Sequence, residues 1–453
     1  MTDINSFKKI HFIGIGGCSM SGLALLFKNK GFYVQGSDVK ESPFTKCLEK
    51  EGVKVFIGHR AENLGDCDLV VYSAAIKPDN VERKEAERRG ITSYERSCAL
   101  GILSGEYNTV VGVSGCHGKT TITSMLALIN KEAQLDATVH VGGFVDFLGC
   151  GVHPGGHDRF ITEACEYVES FLTLKPTMII LNNIDDDHLD YYKDIEHIEN
   201  AFRKFIGLMP KGGLLIACTD DERVKRLYNE FDGRKVSYGM KDADFTPANI
   251  AFDENGYASY ELIHNGESLG SFKLSLIGAF NCLNATAATI AAMELGAEVE
   301  PIRQALSDFR PAKRRFEYYG EKDGHVIYHD YAHHPGEIKA VLDGAKRFPH
   351  RKMFAIFQCN SFTRAKELFC KELDCFNSAD EVLVPDIYPG RDIDDGTVHA
   401  RDMVEWIRKG GVDAKYIPTF EEISAYLDEH AHPGDLVITL GSGDVMEKTK
   451  LLL

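Results

Sequence analysis

The sequence predicts an α/β protein of three domains whose sheets are mainly parallel. Three observations predict it. Apolar runs that read as strands end in glycine, serine or acidic residues and lead into helix-like segments, the alternation that builds parallel sheets with crossover helices. The chain has 453 residues, room for roughly two to four domains of about 100–200 residues each. The composition shifts at LSGEYN, Leu103 to Asn108, just before a new strand begins.

The elements follow in order. KIHFIGIG is a first strand and SMSGLALLFKNK a helix, with Gly31 as its stop. YVQGSD, VKVFIG and DLVVYSAAI read as further strands. Past the boundary, NTVVGVSG opens a second unit, TTITSMLALINK follows as a helix, and RFITEACE, MIILNNID and GLLIACTD continue the strands. From Asn249 to Leu276 apolar and polar residues alternate as in an antiparallel meander, and LNATAATIAAMELG is an alanine-rich helix. A third unit begins near RPAKRRFEYYG and carries VIYHDYAHHPGE, MFAIFQCNSFTR, EVLVPDI and LVITLGSGD. The expected domains are 1–106, 107–310 and 311–453. In open α/β sheets ligands sit beyond the carboxyl ends of the strands. Those ends here carry GIGG, SGCHGKTT, EACE, NNIDDDH, HDYAHH, QCNSFTR and GSGD, more chemistry than packing requires.

Composition narrows the function. Hydrophobic residues make up 44% and charged residues 26%, as in ordinary soluble proteins. A formal charge of −17 argues against general binding of nucleic acid or anionic membranes. No apolar run is long enough for membrane insertion, and the start MTDINSFKKI does not read as a signal peptide, so a cytoplasmic location is expected. The 12 cysteines show no C-x-x-C pair and no zinc-finger spacing, and are expected to be reduced and largely buried.

Four motifs carry chemistry. In GIGGCSMSG, Gly14 and Gly16 follow a strand and Asp38 ends the next, as in a dinucleotide fingerprint, although Ser19 takes the third glycine position and Gly17 is an extra glycine. Bare N–H groups at a helix N-terminus favour a diphosphate there; the alternative is a structural tight turn. In SGCHGKTT, Gly115 and Gly118 let the backbone curl around phosphate, Lys119 reaches terminal phosphates and Thr120 offers a hydroxyl to Mg²⁺. Val113 excludes the strict G-x-x-x-x-G-K-[ST] spacing. Hard ligands for Mg²⁺ are on offer in TEACEYVES, at Glu163 and Glu166, and in NNIDDDHLD, around His188. Cys165 lacks an identifiable histidine base and reads as a packed cysteine rather than a nucleophile. The third unit adds Arg314, Arg315, Asp330, His333, His334 and Arg364; the arginines suit phosphate or carboxylate recognition.

These segments, in this order, resemble the Mur ligases of peptidoglycan synthesis over nearly the whole chain. HFIGIGGCSMSGLA is similar to the family's UDP-binding start, SGCHGKTT to its ATP loop G-T-H-G-K-T-T, and GAFNCLNA to its G-x-H-N-x-x-N segment. KRRFE and HDYAHHP match its arginine and D-Y-x-H-H-P segments. The resemblance implies a Rossmann-like N-terminal domain, a central P-loop-like ATPase domain and a Rossmann-like C-terminal domain. It also implies cofactors ATP and Mg²⁺, substrates UDP-N-acetylmuramate and L-alanine, and a monomer or homodimer. Carried over residue by residue, Gly115, His117, Gly118, Lys119, Thr120 and Thr121 would cradle ATP, with Asn281 and Asn284 by the adenine and Arg315 and Asp330 on the nucleotide. Thr120, Glu163, Glu166 and His188 would serve the metal; Gly14, Gly16, Gly17 and Asp38 would hold the UDP end. Tyr331, His333 and Arg364 would lie near the incoming amino acid and the acyl group. Three departures stand out: Cys116 for threonine in the ATP loop, Phe280 for histidine, and Cys359-Asn360 for the Pro-His of F-Q-P-H-x-x-T-R.

The implied reaction activates the muramate carboxylate as an acyl phosphate, which an amino acid's amine then attacks. Metal, Lys119, arginines and helix N-termini would reconcile the −17 chain with anionic substrates. Three other readings stay open: a ligase attaching a preformed peptide to the same sugar during cell-wall recycling, a dinucleotide-dependent oxidoreductase suggested by GIGG and Asp38, and a catalytically reduced paralogue that only binds UDP sugars.

Overall fold

The computed structural model describes residues 4–145, 147–148, 151–188, 191–310, 315–370, 374–388, 390 and 394–453. The chain divides into two compact units, 1–185 with 196–246 and 284–306, and 186–195 with 247–283 and 307–453.

The first unit holds two sheets. Five short apolar runs form β1 (Lys9–Ile13), β2 (Tyr33–Asp38), β3 (Lys54–Ile57), β4 (Leu69–Tyr72) and β5 (Thr92–Glu95), ordered β3-β2-β1-β4-β5. Every neighbouring pair is parallel. The helices between them are α1 (Cys18–Asn29), α2 (Pro43–Lys50) and α3 (Val81–Arg88), and α4 (Arg96–Ser104) follows β5. This is the order of a doubly wound sheet, whose direction reverses between β1 and β4, so the glycine turn after β1 opens at the switch point. Gly31 takes φ +94 just past α1, the left-handed stop that lacks a Cβ to strain.

The second sheet contains β6 (Thr109–Ser114), β7 (Thr138–His140), β8 (Val152–His153), β9 (Arg159–Glu163), β10 (Met178–Leu181), β11 (Leu214–Cys218) and β12 (Arg234–Tyr238), ordered β12-β11-β10-β6-β9-β7-β8. Within this run only β7 and β8 pair antiparallel. All residues of β10 and β11 are buried, as expected of parallel strands covered on both faces, which is why they read as unbroken apolar runs. Helix α5 (Lys119–Glu132) leaves the end of β6.

The second unit contains the meander β13 (Phe245–Phe252), from Pro247 onward, β14 (Tyr257–His264) and β15 (Glu267–Ile277), whose last pair is antiparallel. Its other sheet is β16 (Glu317–Lys322), β17 (His325–Asp330), β18 (Met353–Phe357), β19 (Glu381–Val384), β20 (Asp413–Tyr416) and β21 (Leu436–Leu440), ordered β16-β17-β21-β18-β19-β20. Only the β16–β17 hairpin is antiparallel. Sequence reading placed no strand at β5, β7, β8, β12, β16 or β20, which are short or partly exposed and lack a clean apolar run.

Among the described residues no helix is long and apolar enough to cross a membrane. Ten described cysteines are free, but Cys47 is disulfide-bonded, so the expectation of reduced thiols throughout fails at that position. Cysteine spacing alone carries no sign of that bond. On the same helix α2, Phe44 meets Phe144 edge to face at 5.7 Å.

Candidate active site

The phosphate loop is shaped by residues far from it in sequence. Gly115 and Gly118 take φ +127 and +87, conformations that side chains resist, and Gly118 forms the N-cap of α5. Asn182 and Asn183, immediately after β10, frame the curl. The His117 N–H donates to Asn183 Oδ1 at 2.7 Å, and both asparagine amides donate to the His117 carbonyl at 3.0 and 3.1 Å. Asn182 also donates to Asn284 Oδ1 at 3.1 Å and accepts from the Tyr238 hydroxyl at 2.7 Å. A Cβ on Gly118 would stand 2.5 Å from Asn182 Nδ2 and 2.8 Å from Asn284 Oδ1. His117 Nε2 lies 3.1 Å from Asp185 Oδ2, and Thr121 is half-buried on the first turn of α5. Cys116, in the place of threonine, is buried; its thiol donates to the Asp185 carbonyl at 3.4 Å and its sulfur accepts from the Asp185 N–H at 3.2 Å.

Lys119 donates to the carbonyls of Gly115 and Cys116 at 2.5 and 3.0 Å and to Glu166 at 2.9 Å. Burial works against its charge, but Glu166 beside it holds the ammonium well above the usual lysine range. Glu163 closes β9; one oxygen accepts from Gly142 N at 2.6 Å and the other from Thr120 Oγ1 at 3.2 Å. Glu166 is 1% exposed. Carboxylate and hydroxyl oxygens held together beside a phosphate-type loop form a hard donor set that fits Mg²⁺. Cys165 lies in the turn past β9, with its thiol pushed up by burial and by Glu166, the opposite of an activated nucleophile.

In the five-stranded sheet of the same unit, the Gly14 and Ile15 N–H groups both donate to the Ser37 carbonyl, at 2.8 and 3.0 Å. Asp38 accepts from Gly16 N and Val39 N, each at 2.8 Å. Asp38 therefore shapes the turn, and a Cβ on Gly16 would sit 2.9 Å from its carboxylate. Gly17 is the N-cap of α1. Beneath the turn lies a buried carboxylate that sequence reading missed. Glu82 accepts from Asn63 Nδ2 at 2.6 Å, Arg60 N at 3.1 Å and the Ser37 hydroxyl, with His11 Nε2 at 3.2 Å. Burial would raise its pKa, but hydrogen bonds from His11, Ser37 and Asn63 prevail and hold it down at about 2.

The second unit gathers the remaining candidates. His188 takes φ +54, with Nε2 3.7 Å from Asp187 Oδ2. Arg364 reaches Asp187 at 3.3 Å and donates to Asn360 Oδ1 at 2.6 Å. Asp330 ends β17 and accepts from Phe316 N and Ala332 N at 2.7 Å each; burial raises its pKa to about 6 against the pull of Arg315. Arg315 sits 5.7 Å from the Tyr331 ring centre and 4.0 Å from Glu337. His333 places Nδ1 2.9 Å from the Tyr331 carbonyl, and burial lowers its pKa to about 4, so it is neutral at pH 7. His334 is structural here, capping the helix Pro335–Ala345 and lying 2.8 Å from the Asp186 carbonyl. Asn281 donates to the Ile277 carbonyl at 2.8 Å. The Phe280 ring folds over Gly278, where a Cβ would meet it at 2.4 Å. Cys359 is buried and donates to the Ser361 carbonyl at 3.3 Å. Arg314 lies outside the described residues.

Sequence reading missed Asn182, Asn183, Glu82 and the Gly142 N–H. The paired asparagines directly after a buried strand were the available signal; nothing local marked the others.

Relatives carry the same organisation. Residues 9–108 match the Mur ligase family catalytic domain, 113–292 the Mur ligase middle domain and 314–443 the Mur ligase glutamate ligase domain. The UDP-N-acetylmuramate–L-alanine ligase of Acetivibrio thermocellus is 44% identical over 453 residues, covering 100% of this chain and 97% of the relative. That of Clostridium kluyveri is 44% identical over 447 residues, covering 98% of each. The crystal structure of the UDP-N-acetylmuramate–alanine ligase of Thermotoga maritima superposes with a TM-score of 0.81 at 28% identity, covering 98% of both chains. A murein peptide ligase of Psychrobacter arcticus shares the fold at a TM-score of 0.71 and 24% identity over 98% of both chains. With three successive domain matches spanning the phosphate loop, the acidic strand ends and the third sheet, the chain belongs to the Mur ligase family.

Proposed function

We propose that this chain is an ATP-dependent ligase that joins L-alanine to the carboxylate of UDP-N-acetylmuramate during peptidoglycan precursor synthesis in the cytoplasm. One observation carries the reading: Lys119, Glu166, Glu163 and Thr120 converge at a glycine loop in a chain 44% identical, end to end, to relatives of that name.

A carboxylate is a poor electrophile, so activation comes first. Its oxygen attacks the γ-phosphorus of ATP, the bond to ADP breaks, and an acyl phosphate results. The amine then attacks the acyl carbon and phosphate leaves. Lys119 places a fixed positive charge beside the transferring group, and the N–H groups of the first turn of α5 add partial charge without reorganisation. Thr120, Glu163 and Glu166 would hold Mg²⁺, which when bound offsets repulsion between the two anionic reactants. Arg364, steered by Asn360 and Asp187, would receive the carboxylate of the amino acid. His333 stays neutral there and offers a ring nitrogen rather than a second charge.

The test is phosphate release with ATP, Mg²⁺ and UDP-N-acetylmuramate across L-alanine, glycine, L-serine and a tripeptide. L-alanine should give the highest kcat/KM. Release with the tripeptide alone would move the assignment to a recycling peptide ligase, a reading kept in play by Asn360 in the Q-C-N-S segment. No release with any amine would leave a UDP-sugar-binding protein.

A further inference from the structure

One buried side chain touches both the glycine turn after β1 and the strand of Glu163. His140 ends β7 and is 2% exposed. Its Nε2 lies 3.1 Å from the carbonyl oxygen of Ser19, on the first turn of α1, and 3.4 Å from Ser19 Oγ. Its Nδ1 lies 3.1 Å from Thr162 Oγ1, one residue before Glu163 on β9. Burial pushes the imidazole down to about 4, so the ring is neutral. A carbonyl only accepts; the bonding therefore assigns the proton to Nε2, and Nδ1 faces the threonine hydroxyl, which also donates to the Glu163 carbonyl at 3.3 Å. Arg96 reinforces the same point, donating to Ser19 Oγ at 3.2 Å.

Adhesion between the two sheets of this unit is provided elsewhere. Helix α4 presses on the turn Tyr167–Thr173 so closely that a Cβ on Gly101 would stand 2.3 Å from the Thr173 carbonyl. Thr173 Oγ1 donates to the Ser97 carbonyl at 2.7 Å, and Lys175 N donates to Ser104 Oγ at 3.1 Å. At the end of β7 an apolar residue would pack without the desolvation cost of an imidazole. What the imidazole adds is direction, because both ring nitrogens are committed to fixed partners. Two residues further on, Gly142 N donates to Glu163 Oε1. The end of β7 thus aims the Glu163 carboxylate and, through His140, holds the first turn of α1.

We infer that His140 is a positioning residue that locks the sugar-nucleotide turn in register with the Glu163 strand, so that filling either subsite raises affinity at the other. The inference rests on the ligase reading above and names a coupling within it. Such linkage is reciprocal and typically amounts to about 5–150-fold.

Isothermal titration calorimetry on the full chain tests it. UDP-N-acetylmuramate is titrated with and without Mg²⁺ and a non-hydrolysable ATP analogue, in the unaltered protein, His140→Phe, His140→Gln and Thr162→Val. The unaltered protein should show at least about fivefold coupling. His140→Phe should bring it to about onefold while each ligand alone binds within about threefold of normal. His140→Gln, which keeps a donor for the Ser19 carbonyl, should retain most of it, and Thr162→Val should retain an intermediate part. Coupling that persists in His140→Phe, or is lost equally in His140→Phe and His140→Gln, overturns the inference while both ligands still bind. If His140→Phe does not fold, undiminished coupling in Thr162→Val overturns it. Failure of the unaltered protein to bind either ligand overturns the ligase reading, and the inference with it.

Discussion

The Lys119 ammonium lies 2.9 Å from both carboxylate oxygens of Glu166, so the positive charge of the loop is held in place by a buried anion before any phosphate arrives. Substitution of the lysine should remove the chemistry and also cost some stability, because buried Glu166 loses its counter-charge. Lys119→Ala is expected to abolish phosphate release while UDP-N-acetylmuramate binding stays measurable by calorimetry. Near-normal turnover in that variant would sink the role given to Lys119.

Glu163 is aimed by Gly142 N and Thr120 Oγ1, and Glu163→Gln preserves that shape while removing the charge. The Mg²⁺ concentration for half-maximal activity should rise by about 10–100-fold. An unchanged Mg²⁺ titration would exclude Glu163 as a metal ligand.

Gly118 joins a left-handed backbone to a site with no room for a methyl group. Gly118→Ala should cost about 1–3 kcal/mol of stability from backbone strain and raise the KM for ATP by at least about tenfold. Thermal unfolding and initial rates at varied ATP would report the two effects separately.

Asn360 orients Arg364 through a 2.6 Å hydrogen bond. In Asn360→Ala the KM for L-alanine should rise by about tenfold, near 1.4 kcal/mol, with the KM for ATP unchanged. A parallel rise in both constants would place Asn360 in general structural support instead.

Glu82 gives a pH signature. Its folded pKa, about 2, lies below the ordinary value of 4.5, so its contribution is fully present above pH 4.5 and fades as pH falls towards 2. That contribution is on the order of 3 kcal/mol. Glu82→Gln should lower the urea midpoint at pH 7, and the gap to the unaltered protein should narrow between pH 4.5 and 3. A gap independent of pH would show that the charge contributes nothing.

Much of this was legible in the sequence because strands covered on both faces must be apolar throughout, and their ends must expose whatever the ligand needs. The runs of β6, β10 and β11, and the motifs behind them, are direct consequences. Edge strands such as β20 escaped notice, since one exposed side relaxes the pattern. Asp38 was legible as a strand-end acid, yet its bonding to Gly16 N is a matter of turn geometry that no spacing encodes. Glu82, three residues before Glu85 on a helix with several exposed charges, looked like another surface acid; only the packing of β1, β2 and α3 reveals it as buried. His140 escaped for the same reason, because Ser19, which it meets, lies 121 residues away in the chain.

The framing of the phosphate loop by Asn182 and Asn183 bears on how portable the motif is. Transplanted into another strand–helix junction, SGCHGKTT would arrive without the amides that hold the His117 carbonyl and without the hydroxyl of Tyr238 that orients one of them. The smallest unit worth grafting is two neighbouring parallel strands, β6 and β10, together with the residues that follow each.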